Sequence, residues 1–417
     1  MSDQTSEANP DGATRRRSLV LRALVAGPVA IVCLWLVVVT GVAGNQRSRN
    51  PAIAYQIWPV DARASAMLGS ERLLAAPKPD VAAAARELAL TAFQRDPTVL
   101  AVYNVLGMAA DIGGDRPAAE RIFNYAHRLS RRDLATELWL IEANVARNDV
   151  NGALTHFDAA MSTSRRGWET LSPILLAALD DPELVTPIAR LASRGRWWSF
   201  AFQHLVATQA PSLPSATRFF MQLDAMGVRP NESSTQSLAF RLVNAHMPDR
   251  AAALDALTTG GNAEAGIRDG GFEQQQGLVP FRWQFLENDK VAAERIARSD
   301  KQSDIALNFS VERGMSNAIM RQLVALAPGD HTLSVEGFAE EGGANWALSW
   351  VVSCENTKAL VAAMPWPIST GDWAVHKARF TVPTGCPFQW ITLIADSERN
   401  AGRLIGWVDT VAVMPTR

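Results

Sequence analysis

Seven of the chain's thirteen tryptophans fall in its last third: Trp283, Trp346, Trp350, Trp366, Trp373, Trp390 and Trp407. A flat indole stacks well on the C–H face of a sugar ring, so exposed members of this set would suit glycan recognition. Trp350 and Trp390 lie in apolar runs beside Cys354 and Cys386 and read as core. Trp366, in Met364-Pro365-Trp366-Pro367, and Trp373, in Gly371-Asp372-Trp373, read as loop residues. Those two are the ligand candidates, and packing against the edge of a folded domain is the competing reading. No reaction is signalled. The chain has no G-x-S-x-G, H-E-x-x-H, P-loop or C-x-x-C motif, and its six histidines are scattered along the sequence. The expectation is a protein that is not an enzyme and requires no cofactor.

The cysteines bear on compartment. Cys33 lies in an apolar run, which leaves Cys354 and Cys386 as the pair able to form a disulfide if that region faces an oxidising space. The apolar run, Ala23 to Gly44, holds no charge, and its twenty-two residues span ~33 Å as a helix, enough to cross a bilayer. Arg15, Arg16, Arg17 and Arg22 precede it, against Arg47 and Arg49 after it, which predicts a cytoplasmic N-terminus. Gly41 and Ala43 leave a cleaved signal peptide as the alternative, although the run is longer than a usual signal core. The organisation expected is a cytoplasmic tail (1–22, with 1–14 disordered), an anchor in a bacterial inner membrane (23–44), and a periplasmic remainder. A linker over 45–60 carries Tyr55 and Trp58, which suit either the membrane interface or packing on the first helix. The net charge of −2 and pI near 6.3 give no basic field for nucleic acid.

The next region, 61–258, is alanine-rich with helical periodicity, and it repeats. Ala85, Ala89 and Ala92 are followed 34 residues on by Ala119, Phe123 and Ala126, and after another 34 by Ala153, Phe157 and Ala160. Small residues at such positions let paired helices approach closely, and each pair must stack on neighbours to bury its apolar face. This spacing, with Tyr103, Leu106, Gly107 and Ala110 in the middle copy, resembles the tetratricopeptide repeat, a helix–turn–helix unit. The third copy departs from that pattern, with Ile141 where the family has glycine. Beyond residue 168 the register is lost, and the segments read as degenerate helical pairs that extend or cap the array. A solenoid of this kind implies a protein partner.

A flexible stretch over 259–266 marks a boundary, and 267–417 reads as many short strands separated by turns. The strands expected are Ile305–Val311, Gln322–Ala327, His331–Phe338, Trp346–Val352, Lys377–Val382, Phe388–Ile394 and Trp407–Val413. The fold class is therefore multidomain: one transmembrane helix, an all-α helical-repeat solenoid, then an all-β antiparallel sandwich. Gly270-Gly271-Phe272-Glu273, Pro280-Phe281-Arg282-Trp283, the turn from Leu326 to Leu333 and the run from Trp407 to Val413 make this last domain similar to jelly-roll carbohydrate-binding modules of the galactose-binding-like class. The resemblance implies that the first and last strands adjoin, and that Glu273 and Asp409 could help hold a structural calcium. Two ordinary strand-end acids is the equal alternative.

Together these readings describe a non-catalytic, membrane-anchored envelope protein. Its repeats would hold a protein partner and its sandwich a polysaccharide, in surface-polysaccharide assembly or export. The alternatives are a structural scaffold whose sandwich binds protein, and a glycan-active enzyme whose site is assembled from distant residues.

Overall fold

The computed structural model describes residues 11–260, 266–274, 276–298, 300–301, 304–312, 316–342, 346–397 and 402–416, with side chains from residue 26 onward. Among these, fourteen α-helices precede two antiparallel sheets. Two compact units divide at Glu169/Thr170, inside helix α9 (Arg165–Ala177).

The first unit opens with α1 (Asp11–Gln46), whose segment Ala26–Gln46 is long and apolar enough to cross a membrane. The helix begins at Asp11, so the disorder expected over 1–14 is corrected for its last four residues; residues 1–10 lie outside the described part. Arginine, alanine and leucine are good helix formers and extend the apolar helix back toward the terminus. The short α2 (Pro51–Ile57) follows, its N-terminus capped by the Asn50 side chain. Beyond it, Trp58 packs edge-on against Trp35 at 6.0 Å.

Six helices then form antiparallel pairs: α3 (Ala62–Ala75) with α4 (Pro79–Arg95), α5 (Leu100–Ile112) with α6 (Arg116–Leu129), and α7 (Leu134–Ala146) with α8 (Val150–Thr163). All nine residues of the 34-residue repeat are buried in α4, α6 and α8. The period extends to the turns. Gly114 and Asn148, 34 apart, both take left-handed backbone at φ 85° and 59°. The residues after them, Asp115 and Asp149, cap α6 and α8 by accepting from Ala118 N at 3.0 Å and Gly152 N at 2.9 Å. Gly107 lets α5 meet α6, because a Cβ there would lie 2.6 Å from the Phe123 ring.

In the second unit, α10 (Pro182–Ala192), α11 (Trp197–Gln209), α12 (Leu213–Ala225), α13 (Glu232–Asn244) and α14 (Pro248–Thr259) precede the strands. The sequence places a boundary at 259–266, of which 261–265 lie outside the described residues. These helices nonetheless belong to the same unit as the sheets, and buried polar contacts explain why. Asp255 of α14 is fully buried, pairs with Arg268 and accepts from Leu278 N at 2.6 Å. Gln236 of α13 accepts from Val279 N at 2.9 Å and donates back to its carbonyl. His246 meets the buried Glu355 at 2.9 Å. Composition alone does not announce such pairings.

One sheet runs β1 (Gln284–Phe285), β4 (Asn317–Val324), β9 (Gln389–Ser397), β6 (Trp346–Cys354), β7 (Leu360–Trp366). The other runs β2 (Val291–Ala297), β3 (Ile305–Val311), β10 (Leu404–Pro415), β5 (Gly329–Glu341), β8 (Ala374–Val382). Their apolar faces enclose one core that includes Phe272, Trp283, Phe309, Trp350 and Trp366. Three strands escape the sequence reading: β1, β2 and β7. The two prolines around Trp366 signal a loop, yet β7 is an edge strand, where Pro365 is tolerated. Gly270-Gly271-Phe272-Glu273 is a turn rather than an opening strand, with Phe272 at φ 61° and its ring in the core. The first and last strands do not adjoin as the resemblance implies, because β1 and β10 belong to different sheets; it is the Gly270 turn that touches the last strand, with Val411 N donating to Gly270 O at 2.9 Å.

Cys354 and Cys386 form a disulfide with a Cα separation of 5.5 Å. Removing both, as Cys354→Ala/Cys386→Ala, is expected to cost about 2–4 kcal/mol in urea unfolding of the full chain, and an unchanged midpoint would refute that. Asp255→Ala leaves Arg268 uncompensated and Leu278 N unpaired. It should destabilise by about 3–5 kcal/mol in the same measurement.

Candidate functional site

Strand alternation sends every second residue of β5 and β10 away from the core. On β5, His331, Leu333, Val335, Gly337 and Ala339 are buried, and Thr332, Ser334, Glu336 and Phe338 face outward. On β10, Gly406 and Val408 point inward, so Trp407 points out. The register sets Trp407 directly opposite Phe338 on one side and Asn308 on the other. Their rings are almost parallel, 3° apart with centroids at 6.3 Å. Trp373, just before β8, stands edge-on to both, at 5.0 Å from Phe338 and 6.5 Å from Trp407. All three rings are half-buried, and Trp407 Nε1 donates to Glu340 at 3.0 Å.

A guanidinium holds this group in place. Arg298 is 1% exposed, and its Cζ lies 3.7 Å over the Trp373 ring. It donates bidentately to Asp300 (3.0 and 2.8 Å), to Asp409 Oδ2 at 2.6 Å and to Glu336 at 3.2 Å. The bond to Asp300, then those to Asp409 and Glu336, raise the pKa of Arg298 against the opposing effect of burial. The same bond from Arg298 holds the Asp300 carboxyl below its ordinary range. Three carboxylates around one cation leave the patch acidic. The bulge in β10 after Asp409 adds backbone strain, since Thr410, a β-branched residue, sits at φ 48°.

The residues singled out by sequence separate accordingly. Trp373 is on the outer aromatic face. Trp366 is not: at 3% exposure it is a core residue, packed on Trp350 at 6.2 Å between centroids. A Cβ on Gly337 would run into the Trp407 carbonyl oxygen and lie 2.6 Å from the Trp366 ring, so glycine is needed for both to fit. Trp390, read as core, is instead half-buried beneath Arg321, whose Cζ is 4.2 Å from the ring. Asp409, one of the two acids offered either for a structural calcium or as an ordinary strand-end acid, pairs with a guanidinium, and its Oδ1 accepts from Thr410 N at 2.6 Å. Glu273 is exposed, with its carboxylate folded toward its own turn. A positive group already neutralises Asp409, so this pair does not fit a calcium clip. Trp407 was named among the tryptophans and in the closing run but not as a ligand candidate, and Phe338 and Arg298 were not proposed for the site. Phe338 continues the outward set Thr332, Ser334 and Glu336 by period two, which is the signal that could have found it.

A separate cavity of about 410 Å³, lined by residues including Arg229, Glu232, Thr235, Leu257 and Gly277, has no aromatic ring among its described lining.

No family model matches the chain, and no curated protein matches it. Solved structures do resemble it. One is described as "CBM4 structure and function", at 15% identity and TM-score 0.28, covering 36% of this chain and 99% of that one. Another is TmCBM61 in complex with β-1,4-galactotriose, at 17% identity and TM-score 0.27, covering 37% and 99%. A third is the CBM22-1 xylan-binding domain of Paenibacillus barcinonensis Xyn10C, at 17% identity and TM-score 0.25, also covering 37% and 99%. The likeness falls on the C-terminal part.

Arg298→Ala should destabilise the protein by about 3–5 kcal/mol in urea unfolding, because Asp409 is left buried without its cation. A change below about 1 kcal/mol would show that the pairing is not structural. Asp300 has a depressed folded pKa, so its stabilising contribution is complete above its unfolded value near pH 4 and is lost as pH falls through the folded one. The near-ultraviolet circular dichroism of the aromatic group is therefore expected to hold from about pH 7 to 5 and to decline below about pH 4.

Proposed function

We propose that this chain is a non-catalytic, membrane-anchored envelope protein whose C-terminal sandwich binds a neutral glycan on the face formed by Phe338, Trp373 and Trp407. The grouping of these three rings on one outer sheet face carries the reading. Aromatic faces accept the C–H faces of sugars, and the carboxylates of Glu336 and Glu340 beside them suit sugar hydroxyl donors. The acidic surround, with Asp300 and Asp409, disfavours a polyanionic chain. Arg298 engages three of the nearby carboxylates, Asp300, Glu336 and Asp409, in ion pairs, which supports a binding role for this face.

The α1 helix serves in this reading as the anchor, with its arginine-rich start in the cytoplasm and both folded units in the periplasm of a bacterial envelope. The Cys354–Cys386 disulfide supports an oxidising compartment. The paired helices α3 to α8 act as a tetratricopeptide-like array that holds a protein partner. The 34-residue recurrence of buried side chains, left-handed turn residues and aspartate caps supports that part. Surface-polysaccharide assembly or export is the process in which a scaffold with these two ends fits.

Calorimetry of the full chain in detergent against soluble neutral xylo-, galacto- and cello-oligosaccharides tests the reading. At least one series should bind, and Trp373→Ala and Trp407→Ala should each weaken it about tenfold or more. Trp366→Ala is expected to lower stability by about 3–5 kcal/mol, as a core truncation does. Absence of binding by every series would overturn the glycan reading and favour a protein-binding sandwich.

A further inference from the structure

Two of the six histidines meet in the first unit. His127 of α6 and His156 of α8 each approach one carboxylate oxygen of Glu137 of α7. His127 Nδ1 lies 2.6 Å from Oε1, and His156 Nδ1 lies 2.7 Å from Oε2. The imidazole rings are edge-to-face at 4.9 Å, and one ligand atom from each of the three residues falls within a 4.8 Å sphere of mutual distances. Glu137 is completely buried, while the side chains of His127 and His156 keep 20% and 12% exposure. The group is closed on its carboxylate side and reachable past its rings.

The repeat shows that packing does not require these residues. Thirty-four positions earlier stand Phe93, Tyr103 and Ile122. Phe93 and Tyr103 there make an ordinary edge-to-face contact at 6.1 Å. The same positions are thus filled by an aromatic and aliphatic trio in one copy and by two imidazoles around a fully buried carboxylate in the next. Burying a carboxylate is costly where apolar groups would serve, which points to a ligand rather than to packing.

We propose that His127, Glu137 and His156 bind one divalent ion of the zinc class. Two imidazole nitrogens and one carboxylate oxygen are a borderline donor set that suits zinc over calcium or magnesium. Ligand atoms around a tetrahedral zinc stand about 3.3 Å apart, so a small rotation of each ring opens the present contacts enough to admit the ion. Each neutral ring then carries its proton on Nε2 and turns the Nδ1 lone pair to the metal. The fourth position is left to water or to a group from a partner. The ion ties α6, α7 and α8 together across the junction between two repeats.

Zinc is the probe for the test. The untagged full chain in detergent is stripped with chelator and titrated with Zn2+ in competition with a chromophoric chelator. One equivalent should bind with a dissociation constant below about a micromolar, and Co2+ in its place should give the intense visible bands of a tetrahedral site. His156→Ala should weaken binding at least a hundredfold. Because Glu137→Gln could unfold the helices, the second variant is His127→Phe/Glu137→Tyr/His156→Ile, which installs the uncharged Phe, Tyr and Ile of the preceding copy. It should keep its helical circular dichroism and lose the zinc. Equal zinc binding by that folded variant, or no stoichiometric zinc in the parent chain, overturns the proposal.

Discussion

The guanidinium of Arg298 lies almost wholly out of solvent, ringed by Asp300, Glu336 and Asp409 and covered by the indole of Trp373. Four separated pieces of chain converge on it: the end of β2 and the residues after it, β5, β10 and the approach to β8. A planar group with five donors in fixed directions can satisfy several carboxylates and still offer a flat face to an aromatic ring; an ammonium cannot. The outer face of that sheet therefore has one arrangement. The positions of Trp373 relative to Phe338 and Trp407, and the charge around them, follow from it.

The helical region shows the opposite economy. Its repeat is built on alanine, with single larger residues filling gaps between close helices, and Gly107 clears space for Phe123. Phe123 in turn stacks on Trp139 at 4.5 Å, carrying the contact from one pair to the next. Polar side chains in this region mostly cap helices. Asn104, Thr136 and Asp158 are buried polar groups besides these caps, and Glu137 with its two histidines buries a carboxylate where one copy earlier Tyr103 stands with Phe93 and Ile122.

A third use of buried polarity joins the later helices to the sandwich. Asp255, Gln236 and Glu355 each satisfy groups on segments far away in sequence. Contacts of this type are directional and expensive to break, so they define a unit more sharply than a composition change does. The helices after residue 170 consequently share a unit with the strands, although by periodicity they look like the tail of the repeat array.

Local and periodic signals were sufficient for much of this protein. The apolar helix, the 34-residue repeat, the change from helical to strand texture and the cysteine pair are all legible in the residues themselves, because each depends on neighbours close in sequence or on composition alone. Most strands were legible too, except β1, which is two residues long, β7, where prolines sit on an edge, and β2, whose Ala-Ala-Glu-Arg run is made of helix formers. The site was half legible. Trp373 could be named, but Trp366 and Trp390 exchanged roles, because an indole's facing depends on strand register rather than on its loop-like or apolar surroundings. Arg298 with Asp409, and His127 with Glu137 and His156, could not be read at all. Their partners lie up to 111 residues apart, and only folding brings them within hydrogen-bond distance. Burial then decides whether an acid meets a metal, a guanidinium or water.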